Sequence, residues 1–491
     1  MMSILGIDVG TSTCKGLVLN ANGKILAQKQ RDYSAKPTVK GDVAELAAEV
    51  FRDGVFSLIR ELAAEMRGSD PIDAIALSTH GETLIPVDAD GNAIRPALLS
   101  MDRRCAKEAR ALAERVGAER FYEICGTPIH TQYPVPKIMW LMKNEPETVK
   151  RTARYCTAQD YLHGALGVGG YVDYSLASRF GGFDIHTHDW SDEIFAAAGL
   201  DKRLFSKPLV AGTAVGVIPN EIARDLNLDE GVKLVLGGHD QPCAALAMGA
   251  RDDTVTISAG SYECATVMTD QPLNDAHGYR FGLNSYCHVA ENKYVTLAFF
   301  TSGLMVSWFV EKFCALWGED QKTALKKLEE IAPAHPTGIC FTPHIYGSMN
   351  PCWDDNAKAK IFGLTASAGL PELYRALLEG AACELGINLS VLEELSGKKT
   401  ELTFCGGGAS SDLWMQIRAD VLGRAICRLN DKVDASCMGA AILAGVGNAT
   451  FADAEQAVEA IRYSKTVFEA KNAVAYEEQK RDYRALYEGK I

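Results

Sequence analysis

Apolar positions at the start of the chain fall in short runs split by turn residues. Ile4, Leu5 and Ile7 lead into Asp8-Val9-Gly10-Thr11-Ser12-Thr13. A second run, Gly16-Leu17-Val18-Leu19, stops at Asn22-Gly23, a hairpin dipeptide. Lys24-Ile25-Leu26-Ala27 reads as a third strand. The period then lengthens: Val43, Leu46, Ala47, Val50, Phe51, Val55, Leu58, Ile59 and Leu62 keep helical spacing and predict a helix over 43–66. Residues 72–77 read as a short buried strand, and strands over 83–87 and 93–99 flank the turn Asp88-Ala89-Asp90-Gly91. Strands and helices mix throughout, which predicts an α/β protein.

A second strand-turn-strand pattern lies far downstream. Thr254-Val255-Thr256-Ile257-Ser258 runs into Ala259-Gly260-Ser261 and resumes through Cys264-Ala265-Thr266-Val267-Met268. It resembles the opening stretch in kind and predicts two related halves, each opening with a glycine-hydroxyl hairpin and facing the other across a cleft. The boundary falls near 240–254, where 241–250 reads as a small-residue helix. Helices follow near 302–316 and 371–395. A strand over 402–405 enters Gly406-Gly407-Gly408-Ala409-Ser410-Ser411-Asp412, followed by helices over 413–422 and 436–446. The charged tail from 469 to 491 reads as a peripheral helix.

The 491 residues carry 50 Lys+Arg and 63 Asp+Glu, a net charge of −13. At roughly 150 residues per domain, two to four domains are expected. The acidic balance argues against a nucleic-acid or anionic-membrane partner. It leaves room for a small anion, which backbone N–H groups can bind whatever the net charge. There is no run of about 18 apolar residues to predict a membrane span, and residues 1–12 carry neither the basic nor the apolar region of a secretory signal. The 14 cysteines are dispersed with no CxxC pair, so a zinc ribbon is not expected and the protein is read as cytoplasmic, with reduced, mostly buried thiols.

The common nucleotide motifs are absent: there is no G-x-x-x-x-G-K-[ST] loop and no G-x-G-x-x-G after a strand. Other segments could do that work. At Asp8-Val9-Gly10-Thr11-Ser12, glycine allows close approach, successive N–H groups and the Thr11, Ser12 and Thr13 hydroxyls can donate to phosphate, Lys15 adds a cation, and Asp8 can hold Mg²⁺ through water. The same pattern also suits an ordinary hairpin. Gly406-Gly407-Gly408-Ala409 is either a ligand-admitting turn at a helix N-terminus or simply a tight connection. Asp240, in Gly237-Gly238-His239-Asp240-Gln241, follows a strand (233–236) and could orient a hydroxyl nucleophile or could cap the next helix. His80-Gly81-Glu82 and Asp102-Arg103-Arg104 could bind polyol hydroxyls. His186-Thr187-His188-Asp189 lacks a third metal ligand at a recognisable spacing and reads as loop.

Taken in order, these segments resemble the FGGY carbohydrate kinases of the actin-like superfamily, over nearly the whole chain. Residues 8–12 resemble the first phosphate loop. Tyr133-Pro134-Val135-Pro136-Lys137-Ile138-Met139-Trp140-Leu141 resembles the first signature, and Gly238-His239-Asp240 the segment carrying the catalytic aspartate. Residues 257–261 resemble the second phosphate loop. Residues 359–364 with 371–380 resemble the second signature, and 406–410 the adenosine loop. There are two departures. Residues 258–261 read Ser-Ala-Gly-Ser where Gly-Thr is commoner, and Leu377 stands where a smaller or β-branched residue is usual.

The resemblance implies two actin-like (ribonuclease H-like) domains facing a central cleft, residues 1–245 binding sugar and supplying the catalytic Asp, and 246–491 binding nucleotide and ending in a helical tail. It implies an ATP-dependent kinase of a small sugar or polyol. Asp240 is then the general base, and Asp8 with Asp240 attends Mg²⁺. Gly10, Thr11, Ser12, Thr13, Lys15, Gly260, Ser261, Gly406, Gly407, Gly408 and Ala409 attend ATP, and His80, Gly81, Glu82, Asp102, Asp240 and Gln241 the substrate. A homodimer is also what the family implies. The substrate cues are mixed. Glu82-Thr83 resembles the Arg-Glu-Thr segment of glycerol kinases with Gly81 in place of Arg, and His80-Gly81 resembles the Met-His-Gly of xylulokinases with Thr79 in place of Met. A five- or six-carbon ketose is favoured, then a short polyol as in the glycerol kinases. A non-catalytic sugar- or nucleotide-binding protein on the same fold is the alternative, and a chaperone-like ATPase would need a further peptide-binding domain.

Overall fold

A computed structural model describes residues 3–250, 254–354, 356–398, 401–430 and 434–490. The opening pattern folds as the hairpin β1 (Ser3–Val9) and β2 (Thr13–Asn20), followed by β3 (Ile25–Asp32). β4 (Ile72–Thr79), β5 (Ala214–Val217) and β6 (Lys233–His239) complete a six-stranded sheet in the order β5-β6-β4-β1-β2-β3. β1, β4 and β6 are parallel, whereas β2 and β5 run against their neighbours.

The second sheet contains β7 (Thr254–Ala259), β8 (Tyr262–Thr269), β9 (Asn284–Cys287), β10 (Tyr294–Thr301), β11 (Glu401–Cys405), β12 (Ile426–Leu429) and β13 (Lys465–Phe468). Its order is β9-β10-β8-β7-β11-β12-β13. With β9 set aside, it repeats the first sheet strand for strand, down to parallel β7, β11 and β12 and an antiparallel edge strand. The repeat read from two hairpins therefore extends to whole sheets.

Alternation along β1 decides which side of the first sheet carries chemistry. Leu5, Ile7 and Val9 pack in the cluster built around α1 (Ala48–Met66), with Phe51, Val55, Leu58, Ile59 and Leu62. Ile4, Gly6 and Asp8 point to the other side. There α2 (Asp240–Ala247) and α6 (Ala435–Gly447) pack against Ile4, Leu17, Leu19, Ala74, Ala76 and Val235. The first sheet is thus covered by a helix from the far end of the chain. The approach is very close: a Cβ on Gly6 would lie 2.1 Å from the Cys437 carbonyl oxygen, and one on Gly439 would lie 2.0 Å from that of Cys243.

The second sheet carries α3 (Gly303–Phe313), α4 (Leu370–Ser396) and α5 (Asp412–Leu422) in its own core. A further cluster, from Leu84, Phe121, Val135, Phe180 and Trp190, is completed by Tyr286, Tyr294, Val295 and Leu297 of β9 and β10. Ser285 N–H donates to Gly126 O at 2.7 Å and Tyr294 OH to Ile185 O at 3.1 Å, fastening the halves together. No described helix is long and apolar enough to cross a membrane.

Several expectations need correction. The helix predicted over 43–66 begins only at Ala48. Val43–Leu46 is a short strand paired with Thr38–Lys40 and Ala97–Leu98, because Ala44 and Leu46 alternate inward there. The strands predicted over 83–87 and 93–99 shrink to Ile85–Val87 and Ala97–Leu98. The tail helix, α7 (Glu477–Tyr487), is not peripheral on both faces: Tyr483 and, just before the helix, Tyr476 are buried, and the Tyr483 hydroxyl donates to Glu384 Oε2 at 2.5 Å.

The contact at Gly439 yields a test. Alanine is the better helix former by about 1 kcal/mol, yet its methyl would overlap backbone that has no side chain to move. Gly439→Ala is expected to lower stability by about 2 kcal/mol or more, read as the midpoint of urea unfolding. A midpoint at or above that of the parent would refute the close-contact account.

Candidate active site

β1 carries Asp8 near its end, and Gly10 N–H donates to Thr13 O at 3.0 Å to close the turn. Register places Lys15 opposite Asp8 on β2 and Ser78 beside it on β4. Ser78 Oγ donates to Asp8 Oδ1 at 3.1 Å. Lys15 Nζ donates to Asp434 Oδ2 at 2.7 Å, while Asp434 Oδ1 caps α6 by accepting from Cys437 N–H at 3.0 Å. Asp240 opens α2 directly after β6. Three carboxylates thus converge from three chain segments. Burial, then the charges of Asp434 and Asp240, push the Asp8 pKa well up, against the pull of Lys15 and Ser78. Asp240 is pushed up to about 7, first by burial and then by Glu82.

On the far side of Asp240 lies a buried polar cluster. Arg179 Nε and Nη2 both donate to Glu82 Oε1, at 2.7 and 2.5 Å. Burial works to raise the Glu82 pKa, but Arg179 outweighs it and holds it down at about 2. Arg179 Nη1 and Tyr133 OH donate to Asn284 Oδ1 at 3.2 and 3.1 Å. The guanidinium lies 5.2 and 4.9 Å from the ring centres of Tyr133 and Tyr286. The His239 ring sits between Tyr286, whose hydroxyl is 2.7 Å from Nδ1, and Asp240, whose Oδ1 is 3.1 Å from Nε2. Burial keeps that imidazole neutral, at a pKa of about 3. The Tyr286 hydroxyl and Nδ1 share a hydrogen bond that fixes the ring beside Asp240. His80 Nδ1 donates to Val9 O at 2.8 Å, which leaves Nε2 an acceptor; it is buried and has no partner.

On the near side, a cavity of about 970 Å³ opens between the halves, lined by Gln241, Ser258, Gly406, Gly407, Asn430 and Asp434 among others. Gly406 turns at φ 91°, where a Cβ would meet Ala259 O at 2.7 Å, and a Cβ on Gly407 would meet nothing within 4 Å. Gly408 instead packs inward on Ala259 and Trp414. The second hairpin turn, Gly260-Ser261, is one residue shorter than the first, since Ala259 pairs with Glu263 where Val9 pairs with Cys14. It is braced from behind: Ser302 and Leu304 N–H donate to Ser261 O and Gly303 N–H to Gly260 O. Beneath it, Arg418 Nη2 donates to Glu263 Oε2 at 2.6 Å and Nη1 to Gly408 O at 3.0 Å. This buried pair ties the second hairpin to the turn over 406–409.

The expected residues therefore divide. Asp8, Lys15 and Asp240 gather near Asp434, Gly406, Gly407 and Ala409 line the large cavity, Gly10, Thr11, Ser12, Thr13, Gly260 and Ser261 make the two hairpin turns, and His80, Gly81 and Glu82 border the polar cluster. Asp102, expected to bind substrate, has no exposed surface: its carboxylate accepts from Ala44 N–H and from Arg104. Gln241, also expected on the substrate, lines the large cavity between the halves. Gly81 serves packing, since a Cβ there would lie 2.9 Å from Arg179 Cγ. Arg179, Asn284, Tyr286, His239 and Asp434 were not anticipated. Asp434 carried a usable signal as a cap before a small-residue helix, whereas Arg179 meets Glu82 across 97 residues and carried none.

Asp240 Oδ1 is screened from solvent, and its approach to His239 lacks the alignment of a hydrogen bond, so the oxygen accepts none. With Asp8 crowded by like charges, this is a donor set of hard oxygens that suits Mg²⁺ completed by water and phosphate. Among the described residues no group of three or more His, Cys, Asp or Glu could hold a metal by itself.

Residues 3–247 match the N-terminal domain, and 255–447 the C-terminal domain, of the FGGY family of carbohydrate kinases. The chain is 27% identical to xylulose kinase of Lactococcus lactis subsp. lactis, covering 99% of this chain and 97% of that one. It is 25% identical to gluconokinase of Bacillus subtilis, covering 90% and 86%. The crystal structure of ligand-bound xylulose kinase from Lactobacillus acidophilus superposes with a TM-score of 0.90 at 22% identity, over 100% and 98% of the two chains. Two sheets of one topology, a cleft between them, and family matches over both halves lead to one statement: the chain belongs to the FGGY family of carbohydrate kinases, enzymes that transfer a phosphoryl group to a sugar.

Proposed function

We propose that the protein uses ATP to phosphorylate one hydroxyl of a ketose or short polyol, with Asp240 as the general base. The observation that carries this reading is the position of Asp240. It lies 3.1 Å from His239 and feels the charge of Glu82 in the polar cluster, and it also shares its charge field with Asp434 and Asp8 beside the large cavity. A hydroxyl bound in the first and a phosphate in the second would meet at its carboxylate.

The residues divide the work as follows. The polar cluster orients the hydroxyl. Asp240, raised toward neutral pH, takes its proton as the oxygen attacks, and a base works best when its pKa lies near the operating pH. His239, neutral and held by Tyr286, flanks the carboxylate and limits its swing. The turns over 10–13 and 260–261 and Lys15 hold phosphate oxygens, and Gly407 admits the nucleotide. Mg²⁺, held by Asp8 and Asp240 through water, would supply neutralisation of the phosphate charge. Residues 1–245 then serve mainly the sugar and 246–491 the nucleotide, with α6 crossing back to place Asp434. Closure of the halves would exclude water, the competing nucleophile.

Asp240→Asn is expected to cut kcat by about 10²–10⁴-fold, measured as ADP release from MgATP with D-xylulose, other ketoses, xylitol and glycerol as acceptors. MgATP should still raise the melting temperature of the variant. Near-parental turnover would remove Asp240 from its role.

The direction of the Asp240 shift also fixes a pH dependence. The base must be ionised, so kcat/KM measured with both substrates far below saturation should fall about tenfold per unit as pH drops below about 7. A flat profile from about pH 5 to 8 would count against Asp240 as the titrating base.

A further inference from the structure

Gly81 and Arg179 make a single arrangement. The Gly81 position has no side chain, and Arg179, from the helical turn that follows Asp173, fills that space with its Cγ where a Cβ would come within 2.9 Å. Its guanidinium lies between two tyrosine rings and is fixed at Asn284. Both of its contacts with Glu82 fall on Oε1, while the Glu82 side chain keeps 12% of its surface and Arg179 keeps 7%.

The other charged groups around this cluster matter as much. Asp240 faces it with 32% of its side chain exposed. Lys137 has no exposed surface and directs its Nζ to the Glu82 and Leu99 carbonyls, at 2.9 and 2.7 Å. His239 and His80 are held neutral by burial. A ligand entering here meets two carboxylates, one of them with an oxygen to spare, and cations already engaged by the protein.

We infer that the Arg179–Glu82 pair is the specificity element of this cluster: it offers a carboxylate oxygen to a substrate hydroxyl while withholding its guanidinium, so the protein takes uncharged ketoses and polyols and turns away sugar acids. This rests on the kinase reading above for the location of the sugar, and it separates two chemistries found among the relatives. A hydroxyl donates well to an ionised carboxylate. An acid group would be desolvated beside Glu82 and Asp240 with no cation released to meet it, a cost that hydroxyl contacts do not recover. Removing the Glu82 charge reverses the logic, because Arg179, still bonded to Asn284, would then lie buried between two tyrosines without a counter-charge and would donate to a ligand carboxylate in a bidentate fork.

The test is direct binding, by calorimetry and thermal shift, of D-xylulose, xylitol and D-gluconate to the wild type, Glu82→Gln, and Glu82→Gln combined with Arg179→Met. The wild type should bind a neutral compound and bind D-gluconate at least about tenfold more weakly. Glu82→Gln should tighten D-gluconate by about tenfold or more, and the added Arg179→Met should abolish that gain. Equal or tighter binding of D-gluconate by the wild type overturns the inference, as does a folded Glu82→Gln protein with no gain. If Glu82→Gln does not fold, the wild-type comparison decides alone. ADP release measured in parallel keeps the two readings apart. Neutral-ligand binding without turnover would fail the kinase reading and spare this one, and turnover of D-gluconate would do the reverse.

Discussion

The site depends on backbone meeting backbone. Glycine at positions 6 and 439 lets β1, α2 and α6 come together at distances that no side chain would allow. Three carboxylates ride on the ends of those elements: Asp8 near the end of β1, Asp240 at the start of α2, and Asp434 as the cap of α6. Their mutual repulsion is a product of the packing, and the packing is strong enough to sustain it. Desolvated like charges are unfavourable for the protein alone, and a cation placed among them would offset that repulsion. Lys15, bonded to Asp434, is the partial relief built into the chain.

The two halves use one strand order and hold their hairpins differently. The first turn is backed by side-chain charge, with Lys15 reaching from β2 to Asp434. The second is a residue shorter and is braced by N–H groups at the start of α3, with Glu263 and Arg418 sealed beneath it. A buried ion pair is a poor source of stability in itself. Here it couples a turn to the segment over 406–409, so that the second hairpin and one wall of the cavity are held by one guanidinium.

Legibility in the sequence followed locality. Asp8, Asp240 and the glycines at 406 and 407 could be singled out as candidates because each lies at a strand end beside turn glycines, a pattern written in a few consecutive residues. The repeat of β1-β2 in β7-β8 was visible for the same reason, although the shared order of the entire sheets was not. The Arg179, Glu82 and Asn284 set could not be found this way, since its members are brought together only by the apolar cluster that β9 and β10 complete. Asp102 and Gln241 fall outside the polar cluster for a related reason. Their residue types suit a sugar, but tertiary contacts engage Asp102 with Ala44 and Arg104 and turn Gln241 to the other cavity. The helix expected over 43–66 lost its first turn to strand pairing with Ala97–Leu98, a partner too distant in sequence for periodicity to reveal.

The route of the chain also has a consequence for its birth. Ribosomes deliver the first sheet and α2 long before α6, whose Cys437, Met438, Ala440, Ala441 and Ala444 cover Ile4, Leu17, Leu19, Ala74, Ala76 and Val235. While residues 248–434 are being made, that face has only part of its cover. The nascent first half is therefore an unfinished layer, sticky along the very strands that lead to Asp8 and Asp240. The late helix acts as a clasp: this side of the molecule closes only when the chain is nearly complete, so a truncated product lacks both the cover and the third carboxylate together.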